Sequence, residues 1–284
     1  MTVSENILLV LAYFVKYLKL PHLVKHVLFF LYKGKKITTI SKVIISEVNI
    51  NLTLGNFVEY WTFMEGVYER PWVEKSTKFV KGKTFIDIGA NIGTYSLALS
   101  REAKQIYALE PEKNNYSNLI RNVKFAKIKN IVPIKNAVGS SNKTGAKLYI
   151  HKDDAGWHSL TLRYPGKTQK VNLVTVDSLV KKYNIKNIGL VKIDVEGAEP
   201  EVLSGSINVF KKFHSPVLIE LNRPRLEISG YNINIIYSFF KKLNYLPYLL
   251  QRDKLIKIDK EKILSIYNQN VFFIPKASKE FLRN

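Results

Sequence analysis

The sequence predicts an α/β fold built on a mostly parallel sheet, and three stretches carry that reading. Thr84 to Tyr95 reads as a strand, a glycine turn and a helix start; Gln105 to Glu110 reads as a short apolar strand ending in a carboxylate; Leu190 to Ile193 reads as another, running out into Asp194 and Glu196. Phe85, Ile86 and Ile88 make the apolar run of a strand covered on both faces, and Leu97, Ala98 and Leu99 begin a helical pattern after the turn.

The turn itself, Asp87-Ile88-Gly89-Ala90-Asn91-Ile92-Gly93, has two glycines four residues apart where a dinucleotide loop would carry GxGxxG. Gly89 and Gly93 let the backbone bend and a ligand come close, and Asp87 sits at the strand end, aimed into the gap. Glu110, about 20 positions further on, stands where a carboxylate accepts hydrogen bonds from ribose hydroxyls. An acidic loop without the pyrophosphate spacing suits a ligand that has a charged amino-acid tail and no phosphate.

Composition bounds the rest. A chain of 284 residues, 46% hydrophobic, is long enough for one large α/β domain with extensions. Cys 0 removes disulfides, cysteine nucleophiles and thiolate metal sites, leaving Asp, Glu or His for any metal, and is most simply read as cytosolic. The net charge of +21 fits either a phosphate-bearing partner or a solvated lysine-rich surface; the lysines are scattered and form no basic stripe interleaved with aromatics.

Taken in order, residues 1–36 hold two apolar helical stretches, Ile7 to Leu20 and His22 to Tyr32, parted by Pro21. Lys16, Lys19 and Lys25 interrupt a membrane span, and Glu5 with no small-residue cleavage pattern argues against a cleaved signal. The stretches read either as a cap on the sheet or on a second subunit, or as an in-plane anchor at the inner face of a membrane. Residues 37–80 read as a β-hairpin, Ile37 to Leu54, then an aromatic-rich segment, Asn56 to Val73. Residues 81–284 form the main domain: a helix from Pro111 to Ala126, strands at Ile131 to Ile134, Lys147 to Ile150 and Val171 to Val174, and a strand Pro216 to Glu220. A helix near Ile233 to Leu243, a strand near Tyr245 to Leu249, a basic loop and a last strand at Asn270 to Ile274 close the chain.

Asp87-Ile88-Gly89-Ala90-Asn91-Ile92-Gly93-Thr94-Tyr95, Ala108-Leu109-Glu110-Pro111-Glu112, Asn136-Ala137-Val138-Gly139, the aspartate of Thr175-Val176-Asp177-Ser178-Leu179 and Val191 to Gly205 appear in that order. Together they resemble the FkbM-type methyltransferases over about Glu65 to Leu221. The resemblance implies a seven-stranded Rossmann-like class I methyltransferase domain, S-adenosylmethionine as cofactor, and O-methylation of a sugar or glycan hydroxyl, a lipid-linked saccharide or a secondary metabolite. Asp87, Gly89, Ala90, Asn91, Gly93, Glu110, Asn136 at the adenine edge and Asp194 become the expected cofactor contacts. Glu65 and Tyr68 become candidate wall residues, each also readable as helix packing. Ser159 matches a recurring serine of the loop Asp153 to Leu160, and Ser159, Glu220 and Arg223 become the expected acceptor contacts, with Arg225 as a second arginine.

Transfer to an aliphatic hydroxyl needs a proton acceptor. Asp194 and Glu196, their pKa raised by neighbouring carboxylates, are the expected bases, with His158 in competition. A divalent ion on Asp194, Glu196 and Glu220 is a third route, and oxygen ligands alone would select magnesium, calcium or manganese. Glu199 reads as a helix-start carboxylate. An RNA or DNA methyltransferase is the alternative enzyme reading, but enzymes that methylate nucleic-acid amino groups place an Asp/Asn/Ser-Pro-Pro-aromatic loop where this chain has Ile193-Asp194-Val195-Glu196-Gly197, which weighs against a nucleic-acid partner. A catalytically silent cofactor-binding module at a membrane is the non-enzymatic alternative.

Overall fold

The computed structural model describes residues 2–18, 21–152 and 155–278. Lys19 and Leu20 at the end of the first helical stretch, and Asp153 and Asp154 of the loop before Leu160, lie outside the described residues.

Helix α1 (Val3–Tyr17) opens with a capping box in which the Thr2 hydroxyl accepts from the Glu5 amide and the Glu5 carboxylate accepts from that of Thr2. Helix α2 (His22–Tyr32) starts directly after Pro21. The two helices pack on each other and on the strand that follows: Tyr32 Oη donates to the Leu8 carbonyl at 2.9 Å, and Tyr13 Oη lies 2.9 Å from Thr39 Oγ1. The hairpin is β1 (Thr38–Val43) and β2 (Val48–Thr53), with Ser41 opposite Ile50. The aromatic segment is broken by left-handed Gly66 into α3 (Phe57–Glu65) and α4 (Arg70–Val80).

The main domain runs β3 (Thr84–Ile88), α5 (Thr94–Ala98), β4 (Gln105–Leu109), α6 (Lys113–Phe125) and β5 (Ile131–Ile134). The α6 helix starts later than Pro111 because Glu112 caps it, accepting from the amides of Asn114 and Asn115. Next come β6 (Ala137–Val138), β7 (Lys143–Tyr149), β8 (Thr168–Val174), α7 (Val176–Lys182) and β9 (Ile188–Ile193). Helices α8 (Glu199–Ser204) and α9 (Ile207–Phe213) lead to β10 (Val217–Asn222), α10 (Arg223–Ile228) and α11 (Ile233–Lys242). The chain ends with β11 (Tyr245–Gln251), β12 (Lys254–Lys257), α12 (Lys260–Leu264) and β13 (Asn268–Pro275).

The large sheet has the order β12-β11-β13-β10-β9-β3-β4-β5. Five adjacent strands, β10 to β5, are parallel, while β13 is antiparallel to β10 and to β11. Seven of the eight strands match the expected count. The eighth, β12, comes from the segment read as a basic loop: residues Arg252 and Asp253, both at positive φ, turn the chain back so that Leu249 meets Ile256. A separate small sheet, β6-β8-β7, carries the loop that follows β7.

Alternation along each strand divides the interior between the two faces of the large sheet. Phe85, Ile106, Ala108, Leu190 and Leu218 face one apolar layer, shared with α1 to α6 and the hairpin; Ile86, Tyr107, Val191 and Ile219 face the other, shared with α7 to α9 and α11. Segments 1–36, 37–80 and 81–284 thus bury side chains in one continuous layer.

Candidate active site

The strand alternation also decides where the chemistry falls. Asp87 stands opposite Lys192 on β9 and Ala108 on β4, and Lys192 stands opposite Leu218 on β10. Two residues beyond Ala108, Lys192 and Leu218 come Glu110, Asp194 and Glu220, so all five charged groups share one face at the carboxyl ends of adjacent parallel strands. They line a cavity of about 290 Å³, together with Gly89, Ala90, Asn91, Asn136, His158, Glu196 and Arg225.

At one end, Asp87 is buried; its Oδ2 accepts from Ser96 Oγ at 2.6 Å and its Oδ1 has no protein partner. Burial pushes its carboxyl above the usual range, against the pull of Lys192 and the Ser96 hydroxyl. Glu110 is held by two amides, Asn91 N–H on Oε2 at 2.9 Å and Glu112 N–H on Oε1 at 2.8 Å. Burial raises its pKa to about 8, against those amide bonds. A carboxylate has four lone-pair positions, so two remain for a diol. Left-handed Asn91 turns its amide toward Glu110.

The glycines act on the frame. A Cβ on Gly89 (φ +81°) would sit 1.8 Å from the Asp194 carbonyl oxygen, so the ends of β3 and β9 meet only because none is there. Gly93, expected at the cofactor, is absent from the cavity wall; it is the left-handed N-cap of α5, and a Cβ there would press Leu119 at 2.6 Å.

At the other end, Lys192 Nζ, buried, donates to Asp194 Oδ2 at 2.7 Å and lies 4.8 Å from the centre of the Tyr95 ring. Burial disfavours its charge, yet Asp194, Asp87 and Glu69 outweigh that and hold its pKa above the ordinary lysine value. Glu196, at φ +59°, forms an ion pair with Arg225, whose guanidinium lies 4.7 Å from the Trp157 ring centre. Both expected bases therefore rest against cations. Among the described residues Glu220 has no hydrogen-bond partner, and its pKa is pushed well above the carboxylate range by burial and by the charges of Asp194, Glu69 and Glu199. One oxygen each of Asp194, Glu196 and Glu220 lies within 4.8 Å of the others.

Several expected contacts are placed otherwise. Ser159 is buried; its Oγ donates to the Glu196 carbonyl at 2.7 Å and accepts from the amides of Thr161 and Leu162, so it pins the loop to the Glu196 turn and does not line the cavity. Arg223 is turned away: its guanidinium donates to the carbonyls of Leu264 and Ile266 at the end of α12. Arg225, two residues on, lines the cavity instead, because residues that close on a helix point in nearly opposite directions. His158 lines the cavity, with Nδ1 accepting from the His151 amide at 3.1 Å. Asn136 lines it and donates to the Asn172 carbonyl at 3.3 Å. Glu65 pairs with Lys25 at 2.7 Å outside the cavity, while Tyr68 is in the wall. Glu199 begins α8, and its Oε1 accepts from the amides of Val195 and Gly197; burial raises its pKa to about 7.

Sequence reasoning passed over Glu69 and Lys192. Glu69, the left-handed N-cap of α4, lines the cavity and accepts from Tyr95 Oη at 2.7 Å; burial raises its pKa against the charge of Lys192. Its signal was a carboxylate directly before Arg70-Pro71 at a helix start. Lys192 signals itself as the one charge in an otherwise apolar strand.

Residues 87–247 match the methyltransferase FkbM domain. The chain is 28% identical over 138 residues to the hexuronic acid methyltransferase AglP of Haloferax volcanii, covering 48% of this chain and 54% of that one. It is 24% identical over 184 residues to methyltransferase 1 of Beauveria bassiana, covering 56% of this chain and 73% of that one. The match thus spans about half the length of the Haloferax relative. Among solved structures, the methyltransferase FkbM of Methylobacillus flagellatus aligns with a TM-score of 0.43 at 14% identity, over 68% of this chain and 43% of that one. With more than half of its residues inside that domain match, the chain belongs to the FkbM methyltransferase family.

Proposed function

We propose that the protein transfers a methyl group from S-adenosylmethionine to a hydroxyl oxygen of a sugar or glycan, a lipid-linked saccharide or a secondary metabolite. The observation that carries this is the division of one cavity into an end with unspent acceptors, Asp87 Oδ1 and Glu110, and an end with an unbonded carboxyl of raised pKa, Glu220. The first end fits the cofactor. Asp87 offers its unpartnered oxygen to a cationic amino-acid tail, Glu110 takes the ribose diol, and Asn136 stands at the base edge.

The bound cofactor supplies a methyl already activated by its sulfonium. The protein then has to align the acceptor oxygen with that carbon, which can lower the barrier by roughly 7–11 kcal/mol. Glu220, once ionised, takes the hydroxyl proton, since a carboxylate whose pKa is raised is the stronger base. Asp194, locked by Lys192, and Glu196, locked by Arg225, orient the acceptor and stabilise the proton acceptor's surroundings. His158 closes the wall of the site. Trp157, 44% exposed beside Arg225, offers the flat apolar face and adjoining hydrogen-bond donor that suit a sugar ring. The hexuronic acid named for the Haloferax relative supports a sugar acceptor. Lys192 and Arg225 already neutralise one oxygen each of Asp194 and Glu196, and these ion pairs favour a metal-free reaction.

A tritiated-methyl assay with the purified chain, products being sorted into glycan, lipid, small-molecule and RNA pools, tests the reading. Label is expected in one of the first three pools, undiminished by EDTA and lost in Glu220→Gln. Label confined to RNA, or none in any pool, overturns it.

A further inference from the structure

We propose that α1 and α2 seat the protein in the plane of an anionic membrane surface. Each helix spends one face on the protein, Ala12 and Val15 from α1 and Phe29 and Tyr32 from α2 being buried. The opposite faces are apolar as well. Val10, Phe14 and Tyr17 on α1, and Leu23, Val27 and Phe30 on α2, are each at least 60% exposed. Both sets recur at intervals of four and three, the spacing of a continuous stripe on one helix face. Solvent-exposed apolar stripes of this extent on neighbouring helices mark an interaction surface.

Charge identifies the occupant. Residues 2–46 contain seven lysines against the single acid Glu5. Lys25 is consumed by Glu65 and Lys16 by Ser41, while Lys33, Lys35 and Lys36 are exposed together just past the end of α2. A symmetric contact with a second copy would bring two such basic segments together. Lipid phosphates neutralise them, and the headgroup boundary takes the apolar stripe. Neither helix is long and apolar enough to cross a bilayer, so the contact lies in the membrane plane.

The seat adjoins the cavity. Phe57 of α3 packs against Phe29 at 5.4 Å and His26 at 6.1 Å between ring centres, and it also lines the cavity. One helix therefore separates the membrane-facing surface from the reaction site.

Flotation of the full-length protein with vesicles of phosphatidylcholine, with and without phosphatidylglycerol, tests this independently of methyl transfer. The wild type is expected to float with the anionic vesicles, less so at high salt, and not with neutral ones. Phe14→Glu/Val27→Glu and Lys33→Gln/Lys35→Gln/Lys36→Gln are each expected to lower the bound fraction about tenfold. Both variants should still bind S-adenosylhomocysteine like the wild type, which shows that they fold. The proposal fails if the wild type does not float, if it floats equally with neutral vesicles, or if the apolar pair changes only a concentration-dependent dimer seen by sedimentation velocity.

Discussion

Lys192 Nζ lies 2.7 Å from Asp194 Oδ2, a pair set two residues apart at the end of the central strand β9 and facing Asp87 on β3. One buried cation thereby offsets the carboxylates of Asp194, Asp87 and Glu69. Removing one member of such a buried pair leaves charge uncompensated, at a cost of about 3–5 kcal/mol.

Lys192→Met should therefore lower stability by about that amount at about pH 8. Part of the loss should be recovered near pH 5, where Asp87 and Glu69, whose pKa values are already raised, take up protons. Urea unfolding at the two pH values checks it, and an equal loss at both would contradict the electrostatic account.

Glu110 gives a second pH dependence. Its folded pKa of about 8 exceeds the ordinary 4.5, so the folded state binds this proton more tightly than the unfolded state does. The ligand-free protein should then lose stability as pH climbs between those values, and Glu110→Gln should flatten that slope. The ionised carboxylate is the better acceptor for ribose hydroxyls, so wild-type affinity for S-adenosylhomocysteine should rise toward about pH 8, while Glu110→Gln binds about tenfold more weakly without the rise. Calorimetry across that range decides it.

Glu220→Gln should reduce kcat by about 10²–10⁴-fold and leave S-adenosylhomocysteine binding unchanged. In the wild type kcat should rise with pH as Glu220 ionises, and that limb should vanish in the variant. A residual activity with the same pH profile would move the proton-accepting role elsewhere.

Arg225 and Arg223 should differ in acceptor binding. Arg225→Met should raise the acceptor KM without altering cofactor binding, since it faces the cavity beside Trp157, and should also lower stability by about 3–5 kcal/mol because buried Glu196 loses its cation. Arg223→Met should leave KM alone and lower stability by about 1–3 kcal/mol, because the carbonyls of Leu264 and Ile266 lose their donor. Steady-state kinetics and thermal melts on both variants make the comparison.

Gly89→Ala should be the most disruptive small change in the motif. The added Cβ would meet the Asp194 carbonyl at 1.8 Å on a left-handed backbone, so β3 and β9 would have to part. A loss of about 3 kcal/mol or more in urea unfolding is expected, against about 1–2 kcal/mol at Gly145, which is also left-handed (φ +70°) but where a Cβ meets nothing within 4 Å.

The linear chain by itself determined the parallel strands, their acidic ends and the glycine turn, because these depend on neighbours a few residues apart: apolar runs, φ freedom and the residue that follows each strand. It also determined that α1 and α2 are apolar helical stretches, while which face of each stays exposed was decided by packing. Which side chains share a space was decided only on folding. Register across four strands put Asp87, Glu110, Lys192, Asp194 and Glu220 on one face, and no local pattern specifies register between strands far apart in the chain. The same cause turned Ser159 and Arg223 into supports and brought Glu69 and Arg225 to the cavity wall. A side chain's charge is written in its residue type, but its partner is chosen by packing, and at this site the partners Lys192 and Arg225 set what each carboxylate can do.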